Sequence, residues 1–362
     1  MATSYTYGLI CIPEKLKEQN KTLAFQTMTR IRFNELNEQY DSGKSVVVAQ
    51  DILEKRILHN LQLTKTILEN CCANDIYHYR LSSKLFPLVT DTTLNLSITK
   101  FTNYRILLFE LKQIGKIAKK HGISISIQLD HYNVLASKRP DVVSKAVGEL
   151  NFHAHMMDLM GLPQDHSAPM SMRPNSSVNK PTEKNMREIV DRFYEGFNQC
   201  DEGVQKRLVI KNEDKGCWNC AHLFMYFYNY CGTQHAHFFP LAYDNSHDRC
   251  NPANFQGETV TYQQNVDAFT GTWNKNVPIF HWGSGEIVPD FGTEITWEIE
   301  SPRKNFLIAA PISNKKTAPK PQVIPPLSPK KQESPEVLKK LEANDKQDAV
   351  YTAYNHVYGV NM

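Results

Sequence analysis

Asp244, His247 and His281 are the side chains of this sequence best suited to hold a metal. Two imidazoles and one carboxylate make a recurrent set for a single divalent ion. Arg173 and Lys211 complicate that chemistry, because both are cations at equivalent positions in the chain's repeating pattern. Two readings stay open. Asp244, His247 and His281 bind one metal, or Asp244 pairs with Lys211 and the imidazoles only hydrogen-bond. If the metals are gone, either Lys211 and Arg173 take their place by pairing with Asp244, or the pocket binds an anion such as phosphate. Glu286, after Gly283-Ser284-Gly285, is either a further ligand or an exposed loop carboxylate.

The pattern that positions these residues is an alternation of short apolar runs with longer helical stretches. The runs are Tyr7–Ile12, Ile76–Leu81, Ile123–Leu129, Pro169–Met172, Leu208–Lys211, His237–Asp244, Val277–Trp282 and Asn305–Ala310. Eight strand–helix units predict a parallel (β/α)8 barrel, whose chemistry sits at the C-terminal ends of its strands. Helices are expected near residues 21–40, 45–72, 103–121, 141–160, 182–199, 217–230 and 262–268. The second of these carries Leu53, Ile57, Leu61 and Leu68 on one face. Gly122 and Gly161 stand where helix C-terminal glycines belong. The segment Glu294–Ile299 reads as strand-like or irregular.

Other clusters carry plainer readings. Cys217-Trp218-Asn219-Cys220 with His222 invites zinc, but it is a lone CxxC, and packed thiols fit it better. Cys71-Cys72 closes a helix and belongs to the core. His153 and His155 do not share a helix face. His235 and His237 enter their strand from the stability side of the barrel.

Hydrophobic residues make up 41% of the 362 residues, enough for a large core, and the net charge is only +3. A phosphate-rich partner is compatible with that charge but not demanded. No run reaches membrane-span length, and the N-terminus lacks a secretory pattern, so an intracellular setting with reduced thiols is expected. Residues 1–310 form the expected barrel domain. Residues 311–349 are a Pro- and Lys-rich extension, and 350–362 are aromatic again. Between 313 and 347 the count is eight Lys against three Glu and one Asp, +8 − 4 = +4. The tail 311–362 suits a nucleic acid, an acidic protein surface or an assembly partner, or is a solvated linker.

Several strand-end segments together resemble the UV-damage endonuclease family of xylose-isomerase-like barrels. They include Tyr7-Gly8-Leu9-Ile10-Cys11-Ile12, Tyr79-Arg80-Leu81-Ser82-Ser83-Lys84-Leu85-Phe86-Pro87, and Gln128-Leu129-Asp130-His131-Tyr132. Lys211-Asn212-Glu213-Asp214, Asp244-Asn245-Ser246-His247 with Asn251-Pro252, and Pro278-Ile279-Phe280-His281 follow in the family's order. The resemblance implies a metal-dependent nick in DNA beside a lesion, commonly with manganese, the ions supplying hydroxide and neutralising leaving oxygens. It implies Asp244, His247, His281 and Asp91 as metal ligands. It also implies Tyr132 and His131 as probes of the base stack, with Arg173, Lys211 and Asn212 near phosphates.

The family's other ligand positions are changed. Its third-strand His is Gln128, its fourth-strand His Arg173 and its fifth-strand Glu Lys211, while its last-strand Glu falls near Ala309. An ammonium in place of a bridging carboxylate repels each neighbouring unit of positive charge by about 4 kcal/mol at 4 Å and an effective dielectric of ~20. The expectation is therefore no cofactor or a single divalent ion. The chain is then a catalytically impaired, DNA-binding or structural member, or alternatively an active endonuclease with a reduced metal site.

Overall fold

The computed structural model describes residues 6–45, 48–255, 258–283 and 285–300. Eight parallel strands run through them: β1 (Thr6–Ile10), β2 (His78–Leu81), β3 (Ser124–Gln128), β4 (Met170–Met172), β5 (Leu208–Lys211), β6 (Leu241–Ala242), β7 (Ile279–Trp282) and β8 (Thr296–Ile299). Their order in the sheet is β6-β5-β4-β3-β2-β1-β8-β7. The two outer strands also meet. His281 N donates to Tyr243 O at 2.7 Å, and Asp244 forms a parallel bridge with His281. The sheet closes on itself as the expected (β/α)8 barrel, which leaves no open edge.

The last strand differs from expectation. Asn305–Ala310 lies outside the described residues, and Thr296–Ile299 fills the place between β1 and β7. A purely apolar run is the wrong signature here. Side chains alternate along a strand, so Trp297 and Ile299 pack under the helices while Glu298 turns to the barrel axis. Trp297 and Ile299 are buried, and so is Glu298. The family's last-strand Glu, aligned from the sequence with Ala309 and so counted as lost, is to be sought instead in Thr296–Ile299, where Glu298 is the acid. The basic and aromatic segments 311–349 and 350–362, and the partner contacts expected of them, also lie outside the described residues.

The helices begin and end where local chemistry dictates. Arg30–Asp41 starts later than expected because Thr29 caps it, its side chain accepting the Arg32 N–H at 3.2 Å. Ala49–Ala73 buries Leu53, Ile57, Leu61 and Leu68 completely. Tyr104–His121 and Pro140–Met160 both stop at a left-handed glycine, Gly122 (φ 64°) and Gly161 (φ 75°). Thr182 caps Glu183–Phe197, and Thr261 with Gln264 forms a capping box for Tyr262–Thr270. The helix after β5 begins at Cys220, not Cys217, because Asn219 supplies the cap, and it continues as a π-helical stretch over Leu223–Tyr230. All four tryptophans are buried. No described helix is long and apolar enough to cross a membrane.

Candidate functional site

Polar side chains fill the barrel axis in two linked layers. In the lower one His78 is fully buried, with Nδ1 2.7 Å from Ser124 Oγ and Nε2 3.1 Å from both Ser126 Oγ and Glu298 Oε1. Ser126 Oγ also donates to Glu298. Gly8 makes room for this imidazole, since a Cβ there would lie 2.4 Å from His78 Cδ2.

Above it, at the C-terminal ends of the strands, six residues close a ring. Arg80 Nη1 and Lys211 Nζ each donate to Gln128 Oε1 at 2.9 Å. Lys211 Nζ donates to Asp244 Oδ2 at 2.9 Å, and His281 Nδ1 lies 2.5 Å from the same oxygen. His281 Nε2 lies 2.8 Å from Glu300 Oε2, an ion-pair distance without hydrogen-bond alignment. Arg80 Nη2 completes the circuit to Glu300 at 3.5 Å, and Arg80 Nη1 reaches down to Glu298 Oε2 at 3.2 Å.

The electrostatics of the ring are self-contained. Burial alone would raise the Asp244 carboxyl, but His281 and then Lys211 hold it well below the usual carboxylate range. Glu298 is likewise lowered against its burial, by Arg80 and His78. The close approach of His281, 2.8 Å away, and then Arg80 bring Glu300 down to about 2, a pull tempered by water because that side chain is 56% exposed. With neutral imidazoles the formal sum is two cations, Arg80 and Lys211, against Asp244, Glu298 and Glu300, or 2 − 3 = −1.

This donor set does not fit a metal cluster. Asp244 Oδ1 already accepts the Ser246 and His247 backbone N–H groups at 3.0 Å each, and Oδ2 holds Lys211 and His281. A divalent ion on Asp244 would also meet the Lys211 ammonium. Among the described residues no three His, Cys, Asp or Glu side chains are arranged to hold a metal ion.

The sequence-selected residues separate on folding. Asp244, His281 and Lys211 come together, with His247 beside them. His247 Nδ1 lies 2.7 Å from Asn212 O, and burial and then Lys211 lower its pKa, disfavouring the charged imidazole. Asp91 is elsewhere, accepting from Thr93 N at 2.9 Å and pairing with Arg30 at 3.7 Å. Arg173 does not join the ring and, among the described residues, pairs with Asp214 at 3.8 Å. Asn212 is fully buried and staples β5 to the end of β6 through the Asp244 backbone, so it presents nothing to a phosphate. His131 and Tyr132 stand exposed on the rim, rings 6.2 Å apart, with Tyr132 58% accessible. Cys217, Cys220, Cys71 and the other described cysteines are free thiols, and Cys220 is wholly buried against Asp248.

Sequence reasoning missed Arg80, Glu298, Glu300 and Glu213. Arg80 stands inside the second-strand motif, and alternation through Thr296–Ile299 would have put Glu298 on the axis. Glu300 and Glu213 gave no separate signal.

Two cavities open on this face. One of 620 Å³ lies between the loops after β4 and β5, and one of 380 Å³ lies above β1–β3; they share His131 and Arg173. Lys17, Lys84 and Lys215 add cations to the joint cleft.

A family model described as UV-endonuclease UvdE matches residues 5–360. The chain belongs to the UV-endonuclease family. Among the relatives of this family member is a protein of Nostoc sp. named UV DNA damage endonuclease, 26% identical over 318 residues, 83% of this chain and 88% of that one. A Bacillus anthracis protein of the same name is 24% identical over 193 residues, 53% of this chain and 54% of its own length. A crystal structure titled SacUVDE superposes with a TM-score of 0.64 at 21% identity, covering 87% of this chain and 99% of that one, a likeness of fold.

Proposed function

We propose that this family member binds DNA across the barrel mouth but is impaired in metal-dependent incision. One observation carries the reading: Lys211 Nζ sits 2.9 Å from Asp244 Oδ2, filling with a fixed ammonium the position where the family's carboxylate would recruit metal. Hydrolysis of a phosphodiester in this family's manner needs a metal-generated hydroxide, and the Asp244 oxygen that would support one is already taken by Lys211 and His281.

The binding half of the reading rests on the rim. Lys17, Lys84, Arg173 and Lys215 follow the joint cleft, opposed by Asp130 and Asp214. Such a track suits a phosphate backbone, with Arg173 the cation nearest its middle. Tyr132, exposed beside His131, offers a face on which a base can stack. The names of the relatives favour damaged DNA as the polymer held.

The test is incision of UV-irradiated plasmid in manganese beside salt-dependent binding of the same DNA. Binding that weakens steeply with salt, without nicking above a no-protein control, is the expected result. Robust nicking lost in His281→Ala would replace this reading with that of an active endonuclease using a reduced metal site.

A further inference from the structure

The larger cavity holds groups that can move protons without a metal. Glu213 is only 8% exposed, and its Oε1 accepts the Asn175 N–H at 2.7 Å, which fixes the carboxyl's direction. Its Oε2 takes no hydrogen bond among the described residues, and Glu213 is part of the cavity lining. Burial raises this carboxyl to about 7, with Asn175 and Arg173 pulling back the other way. A carboxyl poised there exchanges protons efficiently at neutral pH. His131 lines the same cavity, exposed and with neither ring nitrogen hydrogen-bonded among the described residues. Arg173 joins them, its counter-ion Asp214 3.8 Å away, and Lys215 stands on the opposite lip.

An acid, a base and a guanidinium around one cavity are what a phosphodiester needs when it carries its own nucleophile. DNA carries none, whereas RNA carries the 2′-hydroxyl. We propose that this cleft cleaves single-stranded RNA by metal-independent transesterification, with Glu213 and His131 as the proton-transferring pair. The inference rests on the nucleic-acid reading above and adds a substrate class to it. Glu213 takes the proton of the 2′-hydroxyl as that oxygen bonds to phosphorus. The bond from phosphorus to the 5′-oxygen breaks, and His131 gives that oxygen its proton. The products are a 2′,3′-cyclic phosphate and a free 5′-hydroxyl, and no water, oxidant or metal is consumed. Arg173 and Lys215 balance the charge that builds on the phosphoryl oxygens. A single strand is specified because a base-paired backbone holds the 2′-oxygen away from the line of attack.

The experiment uses the full chain in EDTA with two labelled oligonucleotides, one all DNA and one with a single ribonucleotide in the same sequence. Cleavage is expected only on the 3′ side of the ribonucleotide, leaving a cyclic phosphate seen by mass spectrometry. Glu213→Gln and the surface change His131→Ala should each slow it by about 100-fold, with the far-ultraviolet circular dichroism of the natural chain retained. Bound but uncut ribonucleotide substrate overturns the inference while leaving DNA binding intact. So does cleavage that EDTA abolishes, or cleavage that persists equally in both variants. Failure of either oligonucleotide to bind overturns the nucleic-acid reading and the inference with it.

Discussion

Lys211 Nζ and Asp244 Oδ2 lie 2.9 Å apart, both side chains almost wholly out of solvent. An ion pair so deeply buried is a weak net source of stability, yet removing one partner strands the other. Lys211→Met should therefore destabilise the fold by about 3 kcal/mol, the lower end for a broken buried pair because His281 still serves Asp244. Urea denaturation measures it, and an unchanged midpoint would show that the pair carries no such weight.

Lys211→Glu makes the opposite test. It removes the ammonium and returns a carboxylate beside Asp244 and His281. Manganese should leave the melting temperature of the natural chain unmoved and raise that of the variant. Saturating ion at 100 times its dissociation constant adds about 2.7 kcal/mol. A manganese-dependent rise in the natural chain would contradict the poor fit of its donor set.

Acid should unfold the mouth. Asp244, Glu298 and Glu300 all have carboxyls lowered in the folded chain, Glu300 to about 2. Groups depressed on folding stabilise above their unfolded pKa, near 4, and that contribution fades as pH falls through the folded values. The share of stability that these three carboxylates supply should thus be level from pH 6 to about 4 and drop steeply toward 2, which is read in a Glu213→Gln background so that Glu213 adds no slope of its own. Urea midpoints across that range decide it.

Glu213 carries the reverse sign. Its folded value of about 7 exceeds the ordinary glutamate value of 4.5, so its contribution is complete below that lower value and is lost as pH rises through 7. The charged groups around it are Arg173 from the loop after β4 and Asp214 and Lys215 on its own loop. Glu213→Gln should remove a decline of up to about 3 kcal/mol between pH 4.5 and 8. Equal slopes in both proteins would show that this carboxyl is ordinary.

Tyr132 is 58% exposed, so Tyr132→Ala should leave thermal stability within about 0.5 kcal/mol of the natural chain. A lost base stack is worth about 1–3 kcal/mol, so DNA affinity should fall roughly tenfold. Fluorescence anisotropy at fixed salt reads this out. An unaffected affinity would return Tyr132 to a packing role beside Glu149.

The sequence by itself determined the barrel. Alternating apolar runs and capped helices are local signals, and Gly122, Gly161 and Thr182 act through their own backbone and near neighbours. It also made the trouble at the mouth visible, because Lys211 stands where a carboxylate is expected whatever its rotamer. Only the tertiary structure decided which charges meet. Arg80, Gln128, Lys211, Asp244, His281 and Glu300 come from six different strand ends, and their ring exists only once β6 and β7 close. Strand eight was hidden for a related reason. Glu298 is a charge inside a core, tolerated because Arg80, His78 and Ser126 arrive from β2 and β3 to satisfy it. Pairing energies across a barrel depend on distances between residues up to 220 apart in the chain, and no local pattern encodes them.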